Sequence, residues 1–282
     1  MKQEKSFPKF LLPMYLWAVL LVALPLGYFI FLSFLKQDMT YGFTLSFTLD
    51  NYKRIFSGDY QDMMLRSVAI SGLTTLLCFT VGYPFSYIMS RLSGRARSVV
   101  MLLIVIPFYT NSLLRTTGII TLLSSNGLIN TLLTHWGWIK EPLSLLYTPG
   151  ATVVGMVYSL LPFMILPCYS VCQKLDRQTV EAARDLGASR VRSFFTVTLP
   201  LTLPGILSGC VLTFVPTIGM FFISDLLGGA RSSMLGNIIN QQINGRNLPF
   251  AAALSVVMLA MALLFIGIYR AFSGKSELEG IA

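Results

Sequence analysis

Six long apolar runs, separated by more polar segments, divide the chain: Leu11–Leu35, Leu65–Ser90, Ser98–Gly118, Ala151–Cys172, Gly205–Ser224 and Leu248–Phe272. An α-helix rises about 1.5 Å per residue, so roughly 20 residues cross the ~30 Å hydrocarbon core of a bilayer. The pattern predicts an all-α, polytopic membrane protein with six transmembrane helices, forming one membrane domain over residues 1–282. The first run follows Lys2, Lys5 and Lys9, as a secretory signal would, but it continues past Pro25 without a small-x-small cleavage pattern and reads as a retained span. The stretch Leu113–Ile139, with Ser125-Asn126-Gly127 in its middle and Trp136 and Trp138 near its end, is too polar to span and reads as outer amphipathic helices with interfacial anchors, placed to meet a partner from that side.

The polar segments set an orientation. Lys2, Lys5 and Lys9, then Arg91, Arg95 and Arg97, then Lys174, Arg177, Arg184, Arg190 and Arg192, then Arg270 and Lys275 fall in alternate segments. Lys and Arg accumulate on the cytoplasmic side, which places both termini inside. Residues 36–64, 113–150 and 225–247 are then outside, open to a ligand or partner from that side.

Composition agrees with a membrane chain: 54% hydrophobic and 12% charged residues, with a mean hydropathy of +0.69. The net charge of +9 does not point to nucleic acid, because the basic residues lie in short clusters between apolar runs and form no single stripe or patch. Cys78, Cys168, Cys172 and Cys210 all lie in apolar runs, and the only histidine, His135, sits in an outer segment. A tetrahedral metal site wants about four ligands together, so the thiols read as core residues. No HExxH and no GxxxxGK[ST] occurs. The chain is read as a non-enzyme without a cofactor, and Pro84, Pro107, Pro162 and Pro167 are taken as ordinary kinks of membrane helices.

One polar segment is more structured than a connector needs to be. Between Leu175 and Pro204, Asp176 suits a helix N-cap, Arg177 to Leu186 are good helix formers, and Gly187 suits the left-handed residue that ends a helix. Ser189 can cap a second short helix, which should stop before Pro200. Val180, Ala183 and Leu186 share one side of the first helix, with Arg184 and Asp185 elsewhere. The small Ala182/Ala183 surface lets another surface approach closely, and Glu181 can meet a basic group on it. A merely solvated amphipathic loop is the competing reading.

The order Glu181-Ala182-Ala183, three residues, Gly187, nine residues, then Val197-Thr198-Leu199-Pro200 resembles the EAA loop of permease subunits in bacterial ABC importers, with Val197 where that family often has Ile. PFYTNSLLRTTG from Pro107, YSLLPFMILPCYS from Tyr158, LDRQTVEAARDLGAS from Leu175 and FFISDLLGGARSSMLGN from Phe221 are similar to the first permease of spermidine/putrescine importers, over most of the chain from about Asp50 onward. That resemblance implies a type I importer permease fold, a coupling helix carrying Glu181, Ala182, Ala183, Asp185 and Gly187, and a polyamine cargo. It further implies a heterodimer with a second permease, two copies of an ATP-binding subunit and an extracytoplasmic polyamine-binding protein. ATP hydrolysis then belongs to the partner.

A cationic cargo suits some of the residues themselves. Asp225 follows Phe221 and Phe222 at the outer end of the fifth run, where a carboxylate and ring faces favour cations. Capping of a turn beside Gly228 and Gly229 is the structural alternative for Asp225. Tyr109, Asn111 and Arg115 interrupt the third run; facing lipid would be costly, so they should face the permease interior or outer water. Arg115 would repel a polyamine and reads as a partner for a backbone carbonyl or an acid. Two other readings compete: an ABC permease for a different small solute, and a self-sufficient channel or secondary transporter, which the absence of paired charged spans and of an evident inverted repeat disfavours.

Overall fold

The computed structural model describes residues 12–38, 42–58 and 60–279. Lys2, Lys5 and Lys9 lie outside the described residues. Helices dominate. Among the described residues, four are long and apolar enough to cross a membrane: Gln61–Arg91, Pro149–Lys174, Arg190–Gly219 and Leu248–Tyr269. Gly94–Tyr109 with Ser112–His135 makes a fifth if that bent pair counts as one span. Two compact units arise, one from Met1–Gln61 with Ile238–Ala260 and one from Asp62–Asn237 with Met261–Ala282.

The first unit holds α1 (Leu12–Ser33), β1 (Leu35–Asp38), β2 (Gly42–Phe47) and α2 (Asp50–Ile55). The two strands pair antiparallel, with Lys36 opposite Thr44 and Gln37 opposite Phe43, which corrects the all-α expectation. Thr44, Phe43 and Phe47 are residue types that fit a pleated ribbon, and the first helix stops at Ser33, short of Leu35. Carbonyls at this exit are satisfied from α2: the Asn51 amide donates to the Ser33 carbonyl at the helix end and to the Leu35 carbonyl of β1, at 2.9 Å each. Leu32 and Leu35 pack on Ala252 of α13 (Leu248–Glu279). The Arg54 guanidinium lies over the Phe250 ring at 4.5 Å.

The second unit is organised around α7 (Pro149–Lys174) and α10 (Leu199–Gly219). Gly205 and Gly209, four residues apart on one face of α10, bring it against α7. A β-carbon at Gly205 would sit 2.8 Å from the Pro167 carbonyl oxygen, and one at Gly209 would sit 2.6 Å from the Met164 sulfur. Lipid supplies no hydrophobic drive between helices, so such close packing by small residues is what holds them. α3 (Gln61–Arg91) joins through Gly82 against Met164, the Ser86 hydroxyl donating to the Ile165 carbonyl at 2.9 Å, and a 2.8 Å hydrogen bond between the Tyr83 and Thr202 hydroxyls. Cys78, Cys168 and Cys172 are packed in this core. The Phe214 and Phe265 rings stack at 3.8 Å, tying α10 to α13.

Two expected boundaries move. The third run is not one helix: α4 (Gly94–Tyr109) and α5 (Ser112–Leu123) meet at a break, and the axis turns by 97°. The Asn111 side chain accepts the Leu113 N–H at 2.8 Å, so it starts a new helix where the apolar pattern continues the old one. Conversely, the second helix of the 175–204 loop does not stop before Pro200. From α9 (Arg190–Ser193) the chain runs through a π-turn at Phe194–Thr198 directly into α10. There the Leu199 N–H bonds to the Phe194 carbonyl, one residue beyond the α-helical partner, and this wider turn gives the Pro200 ring room that a regular helix denies it.

Gly205→Val is expected to lower the stability of the detergent-solubilised chain by about 1–3 kcal/mol, because its side chain overpacks the α7–α10 contact. Gly27→Val, at a position with no atom within 4 Å of the added carbon, serves as the comparison and should change it much less in the same thermal-unfolding assay.

Candidate functional site

The loop between α7 and α10 is built from two capped helices. The Asp176 carboxylate accepts the Gln178 N–H at 2.9 Å and opens α8 (Arg177–Asp185). At the other end the Gly187 N–H bonds to the Arg184 carbonyl at 2.9 Å and the Ala188 N–H to the Ala183 carbonyl at 3.1 Å, with Gly187 at φ +87°. This is a Schellman closure, and it needs the left-handed residue that glycine supplies. The Ser189 hydroxyl then accepts the Arg192 N–H at 3.3 Å and opens α9.

Burial divides α8 cleanly. Val180 is turned inward and Ala183 is half-buried, while Glu181, Ala182, Arg184, Asp185 and Gly187 are exposed. Leu186 does not join the inward side with Val180 and Ala183; beyond the last helical residue it points out, 90% exposed. Among the described residues Glu181 and Asp185 form no ion pair. The outward face therefore combines Ala182 and Gly187, two exposed carboxylates, the Arg184 cation and a bare leucine.

At the opposite end of α10 the helix breaks at Met220, and α11 (Phe221–Ile223) leads into a second π-turn at Ser224–Gly228. Asp225 is exposed on that turn, and its carboxylate accepts a hydrogen bond from the Asn237 amide, a side-chain partner where a turn cap would bond a backbone N–H. The same amide donates to the Phe221 carbonyl at 3.1 Å, and the Asn237 oxygen accepts the Met234 N–H at 2.7 Å. Asn237 belongs to α12 (Leu235–Asn244), whose first N–H, from Leu235, bonds to the Ser67 hydroxyl of α3 at 2.8 Å. Phe221 and Phe222 are half-buried, and Phe222 packs on the cluster containing Met156, Ile223 and Leu227.

Asp225 and Phe221 are thus brought together through Asn237. Tyr109 and Asn111 lie instead at the α4–α5 break, Tyr109 85% exposed and Asn111 occupied as a cap, and among the described residues neither shares a hydrogen bond or ring contact with the Asp225 group. Among the described residues Arg115 meets no carbonyl or acid of the kind expected: its guanidinium lies over the Phe108 ring at 5.6 Å, and its Nε has no hydrogen-bond partner. Both groups border a cavity of about 220 Å³ shared with Phe85, Tyr158 and Pro162. Sequence reasoning missed Asn237, and nothing local marks it, because its role depends on α12 folding back beside α11. Ser67 was hidden in the same way inside an apolar run.

Residues 82–276 match the family described as "Binding-protein-dependent transport system inner membrane component". The chain is 42% identical over 268 residues to the "Spermidine/putrescine transport system permease protein PotB" of Escherichia coli (strain K12), covering 93% of this chain and 98% of that one. It is 41% identical to the protein of the same description from Haemophilus influenzae, over 93% of this chain and 94% of that one. Among solved structures, a bacterial alginate ABC transporter in complex with its pentasaccharide-bound periplasmic protein matches with a TM-score of 0.75 at 17% identity, over 94% of this chain and 92% of that one. The MetNI methionine ABC transporter in an inward-facing conformation matches with a TM-score of 0.58 at 15% identity, over 78% and 99%. At such identities these structures speak for the fold, which is that of ABC importer permeases. The family match and the relatives that span nearly the whole chain establish that this protein is a membrane permease component and belongs to the binding-protein-dependent transport system inner membrane components.

Proposed function

We propose that the chain is the permease subunit of an ATP-driven polyamine importer, forming half of the translocation pathway for spermidine or putrescine. The observation that carries this reading is the 42% identity, over 93% of the chain, to a relative described as a spermidine/putrescine transport system permease. The whole of residues 1–282 acts as one permease domain of six transmembrane helices, with α1 and α4 added to the four that qualify by length and composition. Both termini face the cytoplasm, in keeping with the alternation of Lys and Arg.

A second permease completes the pathway, two copies of an ATP-binding subunit supply the work, and an extracytoplasmic binding protein delivers the polyamine. On this reading α8 is the coupling helix. It enters a cleft of the ATPase with Glu181, Ala182 and Asp185 outward and the half-buried Ala183 behind them, and Gly187 fixes the corner. The support is the exposed face of α8 and its rigid continuation through α9 and the π-turn into α10. A ligand or motor shifts a conformational equilibrium only through contacts that differ between the two states. Closure of the ATPases would therefore act on α10 through this lever and re-aim the Asp225 turn at its far end. Asp225, Phe221 and Phe222, with Tyr109 and Asn111 at the other helix break, are assigned to the cation path.

Uptake of radiolabelled spermidine by cells lacking this subunit, in a strain without another polyamine importer, is expected to vanish; undiminished uptake would refute the function. Glu181→Lys should leave membrane insertion intact and lower spermidine-stimulated ATPase activity and uptake by roughly tenfold, the scale of a lost charge-assisted hydrogen bond. Gly187→Val should act similarly through the backbone, since a β-branched residue resists φ near +87°. Asp225→Asn should raise the KM for spermidine roughly two- to fivefold with little change in ATPase activity, the size expected of an exposed charge pair.

A further inference from the structure

The α6 helix (Leu128–His135) has three distinct faces. Asn130 is buried, its amide donating to the Ser124 and Leu143 carbonyls at 3.1 and 3.0 Å and its oxygen accepting the Leu143 N–H at 2.8 Å; Ile129 and Leu133 turn inward beside it. Thr131, Thr134 and His135 form a polar face on an open cavity of about 430 Å³. The remaining face is apolar and bare: Leu128, Leu132 and Trp136, at i, i+4 and i+8, are 58%, 39% and 61% exposed.

A left-handed turn extends this face. Gly137, at φ +71°, lets the Trp138 N–H return to the Leu133 carbonyl at 3.0 Å, which sets the Trp138 ring 5.7 Å from that of Trp136. Trp138 is 73% exposed. Two indoles and two leucines therefore share one uncovered surface.

The chain on either side says what covers it. The chain bends by 97° at the break between α4 and the helical segment that follows it, so, with α4 taken as a crossing helix, that segment runs along the membrane plane. Shortly after Trp138 the chain enters α7, which crosses by length and composition. The bare face is thus tethered at both ends to crossing helices on one side of the bilayer. Tryptophan is the residue that favours this boundary, its ring apolar and its N–H wet, and a helix with one apolar and one polar face lies in it.

We propose that Leu128, Leu132, Trp136 and Trp138 form an interfacial membrane anchor that lies among the lipid headgroups and keeps the α5–α6 segment flat on the bilayer. The proposal depends on the assigned function only in taking α4 as a crossing helix, not on cargo or on coupling.

The chain has three tryptophans, so Trp17→Phe leaves Trp136 and Trp138 as its only indoles. In the full-length chain with that substitution, reconstituted in phosphatidylcholine–phosphatidylglycerol vesicles, nitroxide lipids labelled near the headgroup should quench emission at least about twofold more than those labelled deep in the acyl chain. Aqueous acrylamide should quench weakly. The reciprocal Trp136→Phe/Trp138→Phe chain, with Trp17 kept, should lose the shallow-quenched component. Strong acrylamide quenching without lipid quenching would overturn the anchor, as would stronger quenching by the deep label. Shielding that appears only when an extracytoplasmic binding protein is added would assign the face to that protein and overturn the anchor too. No ATPase or polyamine enters the measurement, so failure of the transport assignment would not produce any of these results.

Discussion

The close approach of α10 to α7 at Gly205 and Gly209 is the contact on which the larger unit depends. Each glycine places α10 backbone against Pro167 and Met164 of α7 at distances that no side chain would permit. In hydrocarbon, where apolar surface gains nothing by leaving lipid, the packing itself must supply the attraction. Hydrogen bonds from α3, Ser86 to the Ile165 carbonyl and Tyr83 to Thr202, then fix the third helix in register against both.

Because α10 is pinned along this seam, its two ends are connected mechanically. The helical stretch Arg190–Gly219 is 30 residues long, so it spans about 45 Å at 1.5 Å per residue. At one end it emerges from the loop that presents Glu181 and Leu186 outward; at the other it breaks at Met220 and gives way to the turn bearing Asp225. A displacement of one end is therefore felt at the other without an intervening flexible link. The π-turn at Phe194–Thr198 is what removes that link, since it lets Pro200 sit within a continuing helix.

Polar chemistry collects where helices break. Asn111 caps the new helix at the α4–α5 bend, and Asn237 gathers the Asp225 carboxylate, the Phe221 carbonyl and the Met234 N–H around the break after α10. Irregular backbone at membrane depth is tolerated only where protein or water satisfies it. At the second break the same amide fixes the Asp225 carboxylate beside the Phe221 carbonyl.

Much of this was legible in sequence because it is local. Asp176, Gly187 and Ser189 announce their caps by residue type and spacing, and hydrocarbon thickness turns an apolar run into a helix almost regardless of its neighbours. Tertiary structure decided what local pattern does not encode. The run containing Tyr109 and Asn111 is apolar enough to read as one helix, yet it bends where a side-chain cap outcompetes continuation. Pro200 reads as a stop, yet a wider turn carries the helix past it. The hairpin after Ser33 has a partner strand and an Asn51 cap that a scan for helices does not weigh. Asn237 acquires its role only when α12 returns to α11, twelve residues after Asp225 in sequence and at hydrogen-bond distance in space. Sequence alone determined which segments are apolar enough for long helices and where Asp176, Gly187 and Ser189 open or close short ones, since those depend on neighbours along the chain; tertiary structure decided which polar groups meet, since that depends on neighbours across it.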